Sequence, residues 1–319
     1  MIGILESLEL HPVRIPMRHR FRGVDYREAV LIRGPEGWGE FSPFPGYPPA
    51  VTSKWLASAL ESACTPLPEP GRSPIMVNVT IPAVDPPTAA ALVAESGAAT
   101  AKVKVGEAGE SLADEIDRIA SVRGALGPDG LIRIDANGAW SVDEAERHLG
   151  ALSEFGLEYV EQPVSTIEEM IELRQRTDVP LAADELVRSA RDPLEVAASG
   201  AVDVLVVKVQ PMGGVGRTLD LARRSGMAVV VSSALETSIG LYAGLLAASL
   251  LEDTGRATGL GTVSLLGGDV TAHPLLPARG ELEVRRPEPS GDLLERWYPG
   301  NDESAPMLRR VRAAAEVLT

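Results

Sequence analysis

The sequence predicts an α/β protein: a TIM-type (β/α) barrel of about eight strands, with an α+β capping domain built from the N-terminus and the C-terminal tail. Three observations predict it. A chain of 319 residues, 45% hydrophobic and 24% charged, has the length and composition for a large folded core. From about Ile75 onward, short Val- and Ile-rich runs alternate with helical stretches rich in Ala, Leu and Glu, joined at Gly and Pro, which is the texture of a βαβ series. Neither G-x-G-x-x-G nor G-x-x-x-x-G-K-[ST] occurs, so the competing doubly wound sheet lacks its nucleotide fingerprint.

Met1 to about Ser73 has a mixed pattern. ESLELHPVRIPM and YREAVLIRG read as two antiparallel strands, and PPAVTSKWLASALESAC as a helix. The polar stretch HRFRGVD and the Gly-, Pro- and aromatic-rich GWGEFSPFPGYPP, which has no periodicity, read as loops of the kind that reach over a ligand. The Pro-rich TPLPEPGRSP places a domain boundary near 73, with the barrel over 74–271 and the cap completed by about 272–319. The barrel strands are PIMVNVT, TAKVKV, LIRID, LEYVE, PLAAD, DVLVVK, MAVVVS and TGLGT. They span roughly 190 residues, about 24 per unit, which suits a barrel with short helices.

With 45 Asp and Glu against 30 Lys and Arg, the net charge of −15 opposes phosphate attraction, so no nucleic-acid partner is expected. One cysteine, Cys64, excludes an intrachain disulfide and a cysteine-based zinc cluster. Glu6 and Glu9 interrupt the stretch where a secretory signal would be apolar. The 15-residue uncharged run from Thr237 to Leu251 is short for a bilayer span and reads as a buried helix. These features lead us to expect a cytoplasmic protein with no membrane partner.

In a parallel barrel the last inward-facing residues of the strands meet at the active-site end. Those positions hold Lys102 and Lys104, Asp135, Glu161, Asp184 and Lys208, spaced 31, 26, 23 and 24 residues apart counting from Lys104. An Asp there can be a plain helix cap. Capping explains neither Glu161, followed by Gln162 and Pro163, nor lysines ending nearly all-apolar strands. Asp135, Glu161 and Asp184 from adjacent strands supply carboxylate oxygens for a hard cation, which suits Mg²⁺, with Mn²⁺ as a substitute. His11, His19, His148 and His273 have no ligand spacing, so zinc is disfavoured. Lys102 and Lys104, at i and i+2, share a strand face about 6.6 Å apart. Two ammonium charges beside a divalent cation disfavour protonation, leaving one lysine as a base near neutral pH. Such a site removes the proton α to a metal-held carboxylate, with the cation stabilising the enediolate.

In combination, K-V-K at 102–104, D-A-N at 135–137, E-Q-P at 161–163, A-D-E at 183–185 and V-K-V-Q at 207–210 resemble the enolase superfamily in its muconate-lactonizing subgroup, over nearly the whole chain. Lysine with Mg²⁺ is already known as that superfamily's pattern. Within the subgroup, RHRFRG, GWGEFSPF and SSALETSIG resemble the o-succinylbenzoate synthases. The resemblance implies a hydro-lyase of menaquinone biosynthesis that dehydrates a small-molecule carboxylate, 2-succinyl-6-hydroxy-2,4-cyclohexadiene-1-carboxylate, to 2-succinylbenzoate. It implies that Lys104 takes the α-proton and then helps the hydroxyl leave, that Lys208 stabilises the enediolate by charge, and that Lys102 depresses the pKa of Lys104.

Phe21 and Arg22 on the first polar loop are expected to close over the ring and the succinyl carboxylate. Ser232, Ser233, Gly259 and Gly261 are expected to offer N–H or hydroxyl groups to a carboxylate. Arg133 reads as either a supporting partner of the site or a barrel-layer ion pair, and Asn137 of D-A-N as a supporting residue. GGVG from Gly213 reads as a plain βα turn or an anion cradle at a helix N-terminus. N-acylamino acid racemases and dipeptide epimerases share the lysine and carboxylate set. TGLGTVSLLGGD lacks the D-x-D that dipeptide epimerases resemble one another in having. Other readings are a phosphate-binding barrel enzyme, which leaves three carboxylates surplus, and a catalytically silent carboxylate-binding barrel, against which all five polar strand ends stand intact.

Overall fold

The computed structural model describes residues 2–21 and 24–318. Strands β1 (Glu9–Phe21), β2 (Val24–Gly34) and β3 (Gly37–Phe41) form an antiparallel sheet in that order. The uninterrupted AVLI of β2 follows from burial on both faces. Val30 and Ile32 pack with Trp55, Leu56 and Ala59 of the helix Pro49–Cys64, while Ala29 and Leu31 pack with Ile239, Leu266 and Val270 of the barrel. Two expected loops are corrected. HRFRGVD is largely ladder, since β1 runs to Phe21 and pairs it with Val24; Arg22 lies outside the described residues, as does the side chain of Phe21. The first five residues of GWGEFSPFPGYPP form β3, because Gly39 serves close approach rather than a turn: a Cβ there would stand 1.9 Å from the Ala59 carbonyl oxygen of the covering helix.

PIMVNVT splits in two. β4 (Ile75–Met76) pairs antiparallel with β12 (Glu281–Leu282) of the tail, and β5 (Val79–Ile81) enters the barrel sheet. β6 (Thr100–Lys104), β7 (Leu131–Asp135), β8 (Leu157–Glu161), β9 (Leu181–Ala183), β10 (Val204–Lys208) and β11 (Ala228–Ser232) continue that sheet, parallel throughout, in the order β11-β10-β9-β8-β7-β6-β5. Three of the intervening helices start at capping boxes: Ser111 with Asp114, Ser141 with Glu144 and Thr166 with Glu169. Ile132, Ile134, Leu205 and Val207 point to these helices, and Tyr159, Val204, Val206 and Val230 point into the barrel.

TGLGT, expected as an eighth strand, makes single bridges instead, Val77 to Thr258 and Ser232 to Gly259. The Asn78 and Gly259 amides donate across it, to the carbonyls of Thr258 at 2.9 Å and Val231 at 2.8 Å. A 3₁₀ turn, Gly261–Leu265, ends the extended run before a ladder can form.

The tail helix Asn301–Val317 places Met307, Val311, Ala314 and Ala315 in the cap's core. The helix Ser238–Leu250 is buried on nearly every side, which explains its lack of charge. Among the described residues no helix is long and apolar enough to cross a membrane.

GGVG does hold an anion, but one of the protein's own. Glu61 of the cap helix accepts from the amides of Val215 at 2.5 Å and Gly216 at 3.0 Å, at the start of the barrel helix Val215–Ser225. Gly214 has φ 125°, and a Cβ on it would stand 2.2 Å from the Glu61 carboxylate. Gly214→Ala is therefore expected to lower stability by about 1–3 kcal/mol. Urea unfolding measures this, and an unshifted midpoint would contradict the docking role of Glu61.

Candidate active site

Parallel register stacks the strand-end residues in layers. Lys104 pairs with Asp135 and Asp135 with Glu161; one layer below, Lys102 pairs with Arg133 and Arg133 with Tyr159. Alternation turns both layers into the barrel. Lys208 ends β10 beside Ser232 of β11, and Asp184 follows β9 directly.

The Lys102 ammonium donates to Asp135 at 2.9 Å and to both oxygens of Glu161 at 2.9 and 3.1 Å. Lys104 donates to Asp135 and to the Asn137 amide oxygen, each at 2.6 Å. Lys208 pairs with Asp184, whose other oxygen lies 3.7 Å from Arg188 Nε. Burial would raise the pKa of Asp135, but Lys102 and Lys104 hold it well below the carboxylate range. Burial and then repulsion from Asp135 push Glu161 up to about 7, against the pull of Lys102. Burial would lower Lys102, yet Asp135 and Glu161 hold it above the ordinary lysine value. A depressed lysine pKa requires the carboxylates' charge to be engaged elsewhere first.

Among the described residues no three His, Cys, Asp or Glu side chains already stand around an ion position. Asp135, Glu161 and Asp184 nevertheless suit one: each is 1% exposed, and both aspartates raise the pKa of Glu161, so the three press on one another electrostatically. An all-oxygen donor set under such repulsion fits a hard divalent cation. His148 is occupied elsewhere, against Glu115 at 2.8 Å and stacked on Trp140.

Lys102, Lys104, Asp135, Asn137 and Lys208 line one pocket together with Phe44, Thr80, Ser232, Ser233, Ala234, Leu235, Gly259 and Thr262. Ser232, Ser233 and Gly259 thus share one lining with the lysines, Ser232 beside Lys208. The Gly259 carbonyl accepts from the Ser233 amide at 3.2 Å, and the Ser233 and Thr262 hydroxyls bond each other. Gly261 is not in that lining and packs against Asn78 and Pro277. Arg133 makes the barrel-layer pair: it donates to Glu158 at 2.6 Å, to Asn78 at 3.2 Å and to the Ala257 carbonyl at 2.7 Å. The Asn137 amide N–H donates to Asp135 at 3.0 Å and its side chain reaches Glu185, so the left-handed backbone at φ 48° sets its aim.

Sequence reasoning missed the groups that seat the cap on this site. Glu40 of β3 accepts from the amides of Thr237 at 3.2 Å and Gly240 at 3.0 Å and from the Thr237 hydroxyl, at the start of the helix Ser238–Leu250. Gln162 accepts from the amides of Asp184 and Leu186, each at 3.1 Å, and so holds the segment bearing Asp184. Tyr47 bonds Arg188 at 2.8 Å, and Arg188 bonds Glu185 at 2.7 Å. Arg27 donates to carbonyls of the cap and of the barrel loop after β11. Its signal was strand alternation, since Arg27 shares a face with Ala29 and Leu31.

Residues 13–63 match the family described as enolase N-terminal domain-like, and residues 87–291 that described as enolase C-terminal domain-like. Over 280 residues the chain is 52% identical to the o-succinylbenzoate synthase of Thermobifida fusca (strain YX), covering 88% of each chain. It is 46% identical over 311 residues to that of Mycobacterium marinum (strain ATCC BAA-535 / M), covering 97% of this chain and 94% of the other. Among solved structures, 2-chloromuconate cycloisomerase from Rhodococcus opacus 1CP shares the fold at a TM-score of 0.78 and 21% identity, over 92% of this chain and 99% of that one. Dipeptide epimerase from Enterococcus faecalis V583 does so at 0.74 and 21%, over 89% and 98%.

Burial pushes Glu40 from an ordinary 4.5 up to about 7, against its hydrogen bonds to Thr237 and Ser42. A raised folded-state pKa gives stability that is full below about 4.5 and lost as pH rises through about 7. Glu40→Gln, neutral throughout, is expected to lose less stability between pH 4.5 and 8 than the unmodified protein, by on the order of 2–3 kcal/mol. Urea unfolding across that range measures it, and parallel pH profiles would contradict the assignment.

Proposed function

The chain belongs to the o-succinylbenzoate synthase family of enolase-like enzymes, and we propose that it removes water from 2-succinyl-6-hydroxy-2,4-cyclohexadiene-1-carboxylate with Lys104 as the base. The observation that carries this reading is the 46–52% identity to o-succinylbenzoate synthases over 88–97% of the chain. The buried lysines and carboxylates at adjacent strand ends supply the chemistry such a reaction needs. The product is 2-succinylbenzoate and the setting menaquinone synthesis in the cytoplasm. The chain divides into a cap of 1–73 with about 272–319 and a barrel of 74–271, in which the bridged segment at 258–259 serves as the eighth stave.

Asp135, Glu161 and Asp184 would hold a divalent cation, Mg²⁺ or in its place Mn²⁺, which when bound supplies positive charge for a substrate carboxylate. Lys104 Nζ takes the proton from the ring carbon bearing the carboxylate. The electron pair released from that C–H bond is first delocalised into the substrate carboxylate, and it then forms the new ring double bond as the neighbouring C–O bond breaks. The Lys104 ammonium returns its proton to the departing hydroxyl, which leaves as water, and the lysine is neutral again. Lys208, anchored on Asp184, faces the developing negative charge as a fixed cation. Lys102, which pairs with Asp135 and Glu161, is the positive charge beside Lys104 that lowers its pKa rather than a second base. Aromatisation favours the product, so the residues chiefly stabilise one anion. Of the substrate-binding residues, Ser232, Ser233 and Gly259 line the pocket in which a substrate carboxylate would be held, while the Phe21 side chain and Arg22 lie outside the described residues.

The test follows ultraviolet absorbance when protein and Mg²⁺ meet the cyclohexadiene carboxylate, with an EDTA control. Fast, EDTA-sensitive conversion is expected; its absence with a folded, metal-bound protein would contradict dehydration and favour N-acylamino acid racemization. Lys104→Ala and Lys208→Ala are each expected to lower kcat by roughly 10²–10⁴-fold with Mg²⁺ binding retained. Wild-type-like rates in either would remove that lysine from the chemistry. Asp184→Asn is expected to weaken Mg²⁺ binding in calorimetry, and unchanged affinity would take Asp184 out of the metal site.

A further inference from the structure

One pocket wall is assembled from two distant parts of the chain. Phe44 belongs to the turn after β3, whereas Ser233, Ala234 and Leu235 follow β11 on the barrel. Both segments are irregular. Leu235 has a left-handed φ of 62°, which a non-glycine residue keeps only when its surroundings impose it.

One side chain bonds both. Arg27, 3% exposed, donates from Nε to the Leu235 carbonyl and from Nη2 to the Ala234 carbonyl, each at 3.0 Å, and from Nη2 to the Ser42 carbonyl. Its guanidinium also lies 4.4 Å from the centre of the Phe44 ring. Burial works against the charge, the buried Glu40 and Glu236 favour it, and Glu236 in turn accepts from the Ala234 amide at 2.7 Å. Arg310 of the tail helix fastens the other side of the Phe44 turn, donating to the carbonyls of Pro43 at 3.0 Å and Phe44 at 2.7 Å. Carbonyls alone do not require a cation. Carbonyls on two separate segments, with an aromatic face beside them, do call for a planar fork of several donors, which lysine lacks.

We propose that Arg27 is a positioning residue for substrate binding, which without touching substrate holds Phe44 and the turn at 233–235 together as one wall of the pocket. The wall meets the part of the substrate away from the reacting carbons. Loosening it therefore weakens binding of ground and transition states alike, which raises KM and leaves kcat nearly intact.

This rests on the proposed dehydration, and turnover by the unmodified protein tests that reading separately. If the unmodified protein does not turn over, calorimetric affinity for 2-succinylbenzoate replaces KM in every comparison. Arg27→Lys keeps the buried charge but not the fork, and is expected to raise KM about tenfold with kcat within about threefold. Phe44→Leu is expected to do the same. The double variant should show less than the product of the two single effects, because both loosen one wall. Unchanged KM in folded Arg27→Lys, a kcat loss without a KM change, or fully multiplicative effects would each overturn the proposal. Should Arg27→Lys fail to fold, Phe44→Leu decides alone: a raised KM supports the wall and an unchanged one overturns it.

Discussion

Six ionisable side chains buried in one barrel mouth constrain the rest of this structure. An ion removed from water is strongly destabilising unless a counter-charge and hydrogen bonds meet it. Lys102, Lys104 and Lys208 meet that demand for Asp135, Glu161 and Asp184 through contacts that only adjacent parallel strands in register can supply. A shift by one residue would turn each inward charge toward the covering helices. Three cations balance three anions, and a divalent cation with a substrate bearing two carboxylates adds no net charge to them; Lys104 acts as a base once it has released its own proton.

The same constraint accounts for the cap. The charged mouth functions only if water is excluded, and the cap is seated by polar groups rather than by grease alone. Glu40 and Glu61 each accept from the first amides of a barrel helix, and Arg27 spans cap and barrel carbonyls. Tyr47 reaches Arg188, which also faces Asp184. The cap is thereby coupled to the charged strand-end layer through residues that have directional bonds, which fixes its angle as well as its contact.

The strand-end charges and the βα order were legible because period-two alternation and spacing depend only on local sequence. Elements set by distant neighbours were not. Gly39 reads as a loop residue until the helix lying on it is known. PIMVNVT breaks because its first half is claimed by Glu281 and Leu282, more than 200 residues away. The anion at GGVG was foreseeable as chemistry, but not that Glu61 would supply it. Arg133 could be a supporting partner or a barrel pair until Glu158 was placed 2.6 Å from it. The pairing of Lys102 with Asp135 and Glu161 joins residues 33 and 59 positions apart, which strand patterning places at one barrel end but does not pair.

The most direct test of the charge-balanced mouth is a crystal structure with Mg²⁺ and 2-succinylbenzoate bound. The account predicts the cation among Asp135, Glu161 and Asp184, the ring carboxylate between Lys104 and Lys208, and the succinyl arm against Phe44 and Ser233. A cation held by other groups, or product lodged away from the two lysines, would contradict it.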